Sequence, residues 1–228
     1  MIGLPRRGII VFLLLSALWC RCLAAPKVHV ISFGKWTAVQ WNPGTSDDKP
    51  LTLKVRALLI DGRVKEYTLG PAHEVTDRLF VVRRAFRLND SLPEEPVTAP
   101  RWQWERGGWL LVDRSSGHVS TLSLPEFDAF YSVVSWYRDY AAYCGVSDDG
   151  KKLFQIVAQV GRRKPVVKMP AGALPEESSP DSACPAPAWE RNPVKATFTS
   201  GSSRQTYAIH GHVLDSVSND DGEEEASK

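Results

Sequence analysis

The chain reads as an all-β protein built from consecutive antiparallel meanders, and three observations predict it. Apolar and polar residues alternate over short runs, tight-turn residues separate those runs, and no stretch of a dozen residues keeps a 3.6-residue apolar period. The expected form is a series of four-stranded meanders, arranged either like propeller blades or as a sandwich.

The first 24 residues carry a different message. Arg6 and Arg7 supply positive charge, residues 8–19 form an apolar run, and Cys22-Leu23-Ala24 offers small residues before a cleavage point. This is the tripartite form of a secretory signal peptide. The run breaks at Arg21 after a dozen residues, where a spanning helix needs about 20, so no membrane span is expected after cleavage. The mature chain is expected to begin at Ala25 and to be secreted or periplasmic. Of 28 basic residues three lie in this leader, leaving 25 against 26 acidic ones. That balance removes the electrostatic ground for a nucleic-acid partner.

Residues 25–169 form the expected meander domain. Leu51, Leu53, Val55, Ala57 and Leu59 alternate with Lys54 and Arg56, then Asp61-Gly62 turns the chain into residues 63–69. Asp-Gly between alternating runs is a strong hairpin signal because both turn positions take positive φ. Residues 102–105 and 109–114 flank Gly107-Gly108 as a second hairpin, and residues 112–114 and 118–122 flank Ser115-Ser116-Gly117 as a third. Ser123-Leu124-Pro125-Glu126-Phe127 starts at most one helical turn.

The clearest unit spans residues 130–169: strands at 130–136, 140–147, 153–160 and 165–169, joined by turns at 137–139, 148–150 and 161–163. Gly150 is expected at positive φ. Val133, Ala141, Ile156 and Val166 are expected to be buried in one sheet, with Lys151 and Arg163 exposed at the turns.

The string SWYRDYAAYCGVSDDGKKLFQIVAQVGRRKPVVK resembles a blade of WD-repeat-like and related β-propeller proteins. Residues 136–139 stand where such blades carry an aromatic-Ser-Pro-Asp turn, and WLLVDRSSGHVSTL resembles the third and fourth strands of another blade. The resemblance covers residues 102–169. It departs from the family pattern at Tyr137 and Tyr140, where the turn's Pro and Gly belong. Residues 28–69 read as a third meander, and three blades do not close a ring of four to eight.

Residues 170–193 hold six prolines with Glu176-Glu177-Ser178-Ser179 between them and are expected to be a disordered loop or linker. Further strands are expected over 194–215, then a disordered acidic tail over 216–228. After leader cleavage Cys144 and Cys184 are the two remaining cysteines. In an oxidising compartment they form either a disulfide or, with Cys144 in an apolar run, a buried thiol and a loop cysteine.

Catalytic frames are scarce. No Gly-x-Ser-x-Gly, phosphate loop or dinucleotide fingerprint occurs, and no cofactor is expected. Cys144 could be combined on paper with His29, His73, His118, His210 or His212, a pairing any chain with five histidines supplies. His210 and His212, two apart on a strand, share a face and are the candidate metal ligands, with His118 or Asp215 as a third.

Binding has better support. Trp102 and Trp104 share one strand face, and Trp109 is expected beside them across the Gly-Gly hairpin. Tryptophan joins large apolar area to an N–H donor, which suits protein recognition. Arg78, Arg83, Arg84 and Arg87 make a basic stripe around residues 79–82. The reading that follows is an exported, non-catalytic protein that binds another envelope or extracellular protein. The alternatives are a glycan-active hydrolase or lyase using Asp139, Asp148 and Asp149 at strand turns, and a structural subunit whose sheet edges a partner completes.

Overall fold

The computed structural model describes residues 28–43, 49–89, 101–174, 181, 184–200 and 203–210. The expected leader, the end of the expected C-terminal strand region and the expected acidic tail lie outside the described residues. Those described are all-β, in three antiparallel sheets. The sheets hold β1 (Ile31–Phe33), β2 (Thr37–Trp41), β3 (Leu51–Ile60), β4 (Arg63–Glu74), β5 (Leu79–Asn89), β6 (Trp102–Asp113) and β7 (His118–Leu122) in the first; β8 (Ser135–Tyr137), β9 (Tyr140–Val146), β10 (Lys152–Gln159) and β11 (Val167–Ala173) in the second; and β12 (Ala188–Arg191), β13 (Val194–Ser200) and β14 (Ser203–Ala208) in the third.

The first sheet is one continuous meander, β3 to β7, with β1 and β2 dividing a single edge along β3. Asp61 and Gly62 sit at φ 52° and 75°, the hairpin geometry their sequence demands. Gly107-Gly108 does not turn the chain. The two glycines bulge within β6, so that Arg83 pairs with Trp109 while Ala85 pairs with Arg106. A Cβ on Gly107 would stand 3.0 Å from Arg84 Cβ and 3.2 Å from its carbonyl oxygen. Glycine is required there by close strand approach, not by a reverse turn.

This sheet buries residues on both faces. On β5, Phe80 and Val82 point to one side, where they meet Leu58, Leu110 and Val112, and Phe33 from β1 packs edge-on against Phe80 at 6.1 Å. Val81 and Ala85 point to the other side. There Val81 joins Trp109 in the contact with the second sheet, while Ala85 joins Val55 and Leu69. The β2 end folds over β6, and Trp41 Nε1–H donates to Glu105 Oε2 at 3.2 Å. Within β3 the alternation changes phase between buried Val55 and buried Leu58 and Ile60, so the single inward face read from residues 51–59 holds only for the first half.

The second sheet is the expected four-stranded meander in the order β11-β10-β9-β8. Leu153 pairs with Val146 and Gln159 with Tyr140, and Gly150 takes φ 69°. Ala141 and Ile156 are buried, and Lys151 and Arg163 are exposed. The first strand is shorter than read: residues 130–134 are not strand, because the Asp128 carboxylate accepts the Phe130 and Tyr131 N–H groups at 2.7 and 2.9 Å and turns the chain. Val133 therefore falls outside a strand, and Val166 lies one residue before β11 begins at Val167; both are half-buried.

One face of the second sheet packs on the first through Ala141, Tyr143, Ile156, Ala158 and Val160. Its other face, Tyr140, Ala142, Cys144 and Val157, packs on Ala196, Phe198 and Ile209. Three sheets of unequal size stacked face to face are sandwich-like, and the described strands close no barrel.

The described residues of the Pro-rich span include strand, contrary to the expected disordered loop. Strand β11 runs to Ala173, and β12 begins at Ala188. Between them Asp181 is clamped by both terminal nitrogens of the Arg106 guanidinium, and its N–H donates to the Phe130 carbonyl at 2.9 Å. Cys184 is bonded to Cys144 of β9. Asp181 and Cys184 are thus held by ionic and covalent anchors.

Candidate functional site

Two surfaces on the first sheet concentrate recognition chemistry. The first lies where β5 ends and β6 begins. Arg87 pairs across the strands with Trp104, and its guanidinium carbon lies 5.5 Å from the ring centroids of both Trp102 and Trp104 and 5.9 Å from that of Tyr67. Tyr67, on β4, meets Trp104 edge-to-face at 5.1 Å. The cation is attracted to each ring's quadrupole, and the rings hold one another in fixed orientation. Trp102 is 56% exposed, a large apolar side chain presented to solvent beside a cation.

Trp109 does not belong to this surface. Because the glycine bulge does not reverse β6, Trp109 lies further along the same strand and is buried against Trp136 at 5.0 Å. Trp136 in turn stacks on His73, whose Nε2 lies 2.7 Å from the Arg138 carbonyl. Trp109 is a core residue joining two sheets.

The basic stripe is likewise divided. Arg78 pairs with Asp113 and Arg84 with Glu66. Arg83 reaches the connection between β7 and β8, where its Nη2 donates to the Ala129 carbonyl at 2.5 Å. Burial, then the nearby Arg106 charge, lowers the Arg83 pKa to about 10. Arg83 and Arg84 also lie near single rings, Phe127 and Phe86, whereas Arg87 lies near three, Tyr67, Trp102 and Trp104.

The second surface is a cleft of about 470 Å³ lined by His29, Ile60, Asp61, Arg63, Lys65, Ser116 and Gly117. It forms where the β3–β4 hairpin, the β6–β7 turn and the segment entering β1 converge. His29 Nδ1 lies 3.0 Å from Asp61 Oδ2, and the Val30 N–H donates to Asp61 Oδ1 at 3.1 Å. Gly117, at φ 64°, closes the wall: a Cβ there would lie 3.0 Å from the His29 ring. The sequence showed Asp61 only as a turn residue and His29 only as one of five histidines. Their meeting depends on sheet curvature, which no local pattern encodes.

The three turn aspartates are not gathered in one place. Asp139 is fully buried, with Gln159 Nε2–H donating to its Oδ2 at 2.7 Å. Asp148 and Asp149 lie beyond the opposite end of the seven-residue β9, more than about 20 Å away at strand rise. The Asp149 carboxylate accepts the Ser147 hydroxyl and the Lys151 N–H. Carboxylates of a glycosidase pair stand within about 10 Å of one another.

His210 is exposed at the chain's last described position; His212 and Asp215 lie outside the described residues. His118 is exposed on β7. Among the described residues, no group of three His, Cys, Asp or Glu side chains is placed to hold a metal ion, and no helix is long and apolar enough to cross a membrane. No known protein family, curated protein or solved structure matches this chain.

Proposed function

We propose that this is an exported, non-catalytic binding protein that docks another envelope or extracellular protein through the surface formed by Tyr67, Arg87, Trp102 and Trp104. The observation that carries the reading is Arg87 set 5.5 Å from both indoles, with Trp102 exposed beside it. Tryptophan, tyrosine and arginine are the residue types that dominate binding energy at protein interfaces, because each combines large contact area with a directional polar group. Trp102 stands exposed beside a cation, where Trp109 of the same strand is buried. The leader-like first 24 residues support export. Dispersion of Asp139, Asp148 and Asp149 weighs against the glycan-active alternative.

The test is mild chemical crosslinking in the native compartment, comparing the wild-type chain with Trp102→Ala and Arg87→Ala. A specific adduct that weakens in both variants, while their melting temperatures stay within a few degrees of wild type, supports docking here. An unchanged adduct in both variants excludes this surface as the interface.

A further inference from the structure

We propose that the cleft between the β3–β4 hairpin and the β6–β7 turn binds a sugar carrying a phosphate or sulfate group. Arg63 and Lys65, both exposed at the start of β4, line it together with His29, Asp61 and Ser116. Neither cation is ion-paired to a described residue, whereas Arg78, Arg84, Arg106 and Arg114 all are. The one lining carboxylate is engaged: its two oxygens meet His29 Nδ1 and the Val30 N–H. The charge left to act on a ligand is therefore positive.

Donor geometry narrows the ligand. Arginine presents a planar fork matched to two oxygens of an oxyanion, and lysine adds a point charge with three rotatable donors. The Ser116 hydroxyl oxygen accepts the His118 N–H at 3.3 Å and its hydrogen goes to the Asp113 carboxylate, so the oxyanion donors are Arg63 and Lys65. With Nδ1 committed to Asp61, the other His29 nitrogen, Nε2, is available for a polar contact. Size argues for more than a bare anion. A cleft of about 470 Å³ falls within the range of small-molecule sites, roughly 300–1,000 Å³. Ile60 is the one large apolar side chain in its lining, so the remainder of the ligand is polar, as a sugar is.

This site is separate from the aromatic surface, and its test is independent of it. The purified protein is titrated calorimetrically with glucose 6-phosphate, inorganic phosphate and unsubstituted glucose. Saturable binding of glucose 6-phosphate below about 10 mM is expected, with inorganic phosphate weaker and glucose weaker still. Arg63→Gln with Lys65→Gln should weaken glucose 6-phosphate at least about tenfold, the loss of one or more charge-assisted hydrogen bonds. Trp102→Ala and Lys152→Gln should leave it unchanged. Both altered cations are exposed, so the double variant should melt with the wild type; Arg63→Gln alone serves if it does not. Lack of saturable binding, equal affinity for inorganic phosphate, or affinity unchanged in the Arg63 and Lys65 variants would each overturn the proposal.

Discussion

Asp61 and His29, 32 residues apart, are joined by a contact of 3.0 Å between carboxylate Oδ2 and ring Nδ1. Asp61 thus does two jobs: it takes φ 52° in the β3–β4 turn and ties the segment entering β1 to that turn. The two separate by substitution. Asp61→Asn keeps a side chain tolerant of the left-handed conformation and should preserve the hairpin while weakening the hold on His29. Asp61→Ala should cost about 1 kcal/mol more, from turn strain. Amide exchange at Val30 should accelerate in both variants, and melting temperature should fall further in the alanine one.

Gly145 and Gly150 predict different costs. A Cβ at Gly145 would lie 2.6 Å from Ile156 Cδ1 and 2.8 Å from the Glu126 carbonyl oxygen, while nothing lies within 4 Å at Gly150. Gly150→Val should destabilise the fold mainly through its positive φ, by about 1 kcal/mol or somewhat more. Gly145→Ala should destabilise it by roughly 1–3 kcal/mol through overpacking. Denaturant midpoints of the two variants measure the difference, and Gly145→Ala is expected to show the lower one.

Acid should expose the role of Asp113. Its side-chain hydrogen bonds from Arg78, aided by Ser115 and Ser116, hold its pKa well below the usual carboxylate range of about 4. A carboxylate depressed in the folded state contributes stability that is present above its unfolded pKa and lost as pH falls toward the folded one. The melting temperature of the wild type should therefore decline below about pH 4 more steeply than that of Asp113→Asn. Parallel acid limbs for the two proteins would contradict this assignment.

Reduction should loosen the third sheet first. The Cys144–Cys184 bond closes a span of 40 residues and ties β9 to the chain entering β12. A loop of that length contributes up to about 4 kcal/mol in the chain-entropy model. Chemical denaturation with and without reductant should show a loss of about 2–4 kcal/mol.

What the sequence made legible was local. Asp61-Gly62, Ser147 to Gly150 and the alternation of residues 140–160 fixed turns and strands, because positive φ and period-two burial are properties of neighbouring residues. Gly107-Gly108 misled for a physical reason. A glycine pair serves a reverse turn and a bulge equally well, and only the approach of Arg84 across the sheet distinguishes them. That single difference carried Trp109 from the expected recognition surface into the core. Asp181 and Cys184 misled in the opposite sense, since a Pro-rich composition says nothing of the distant Arg106 and Cys144 that anchor it. At the aromatic surface Trp102 and Trp104 were readable from their spacing, whereas Arg87 and Tyr67 join them only through strand register.

The docking claim is tested most directly by placing a photo-crosslinking amino acid at position 102 of the full-length chain in its native cells, with position 151 as the control. Lys151 is exposed on a turn of the second sheet, away from Trp102 on the first. The account predicts a discrete protein adduct from position 102 that is absent from position 151 and is lost when Arg87 is changed to Ala. The absence of an adduct at position 102, or the same adducts from both positions, would contradict it.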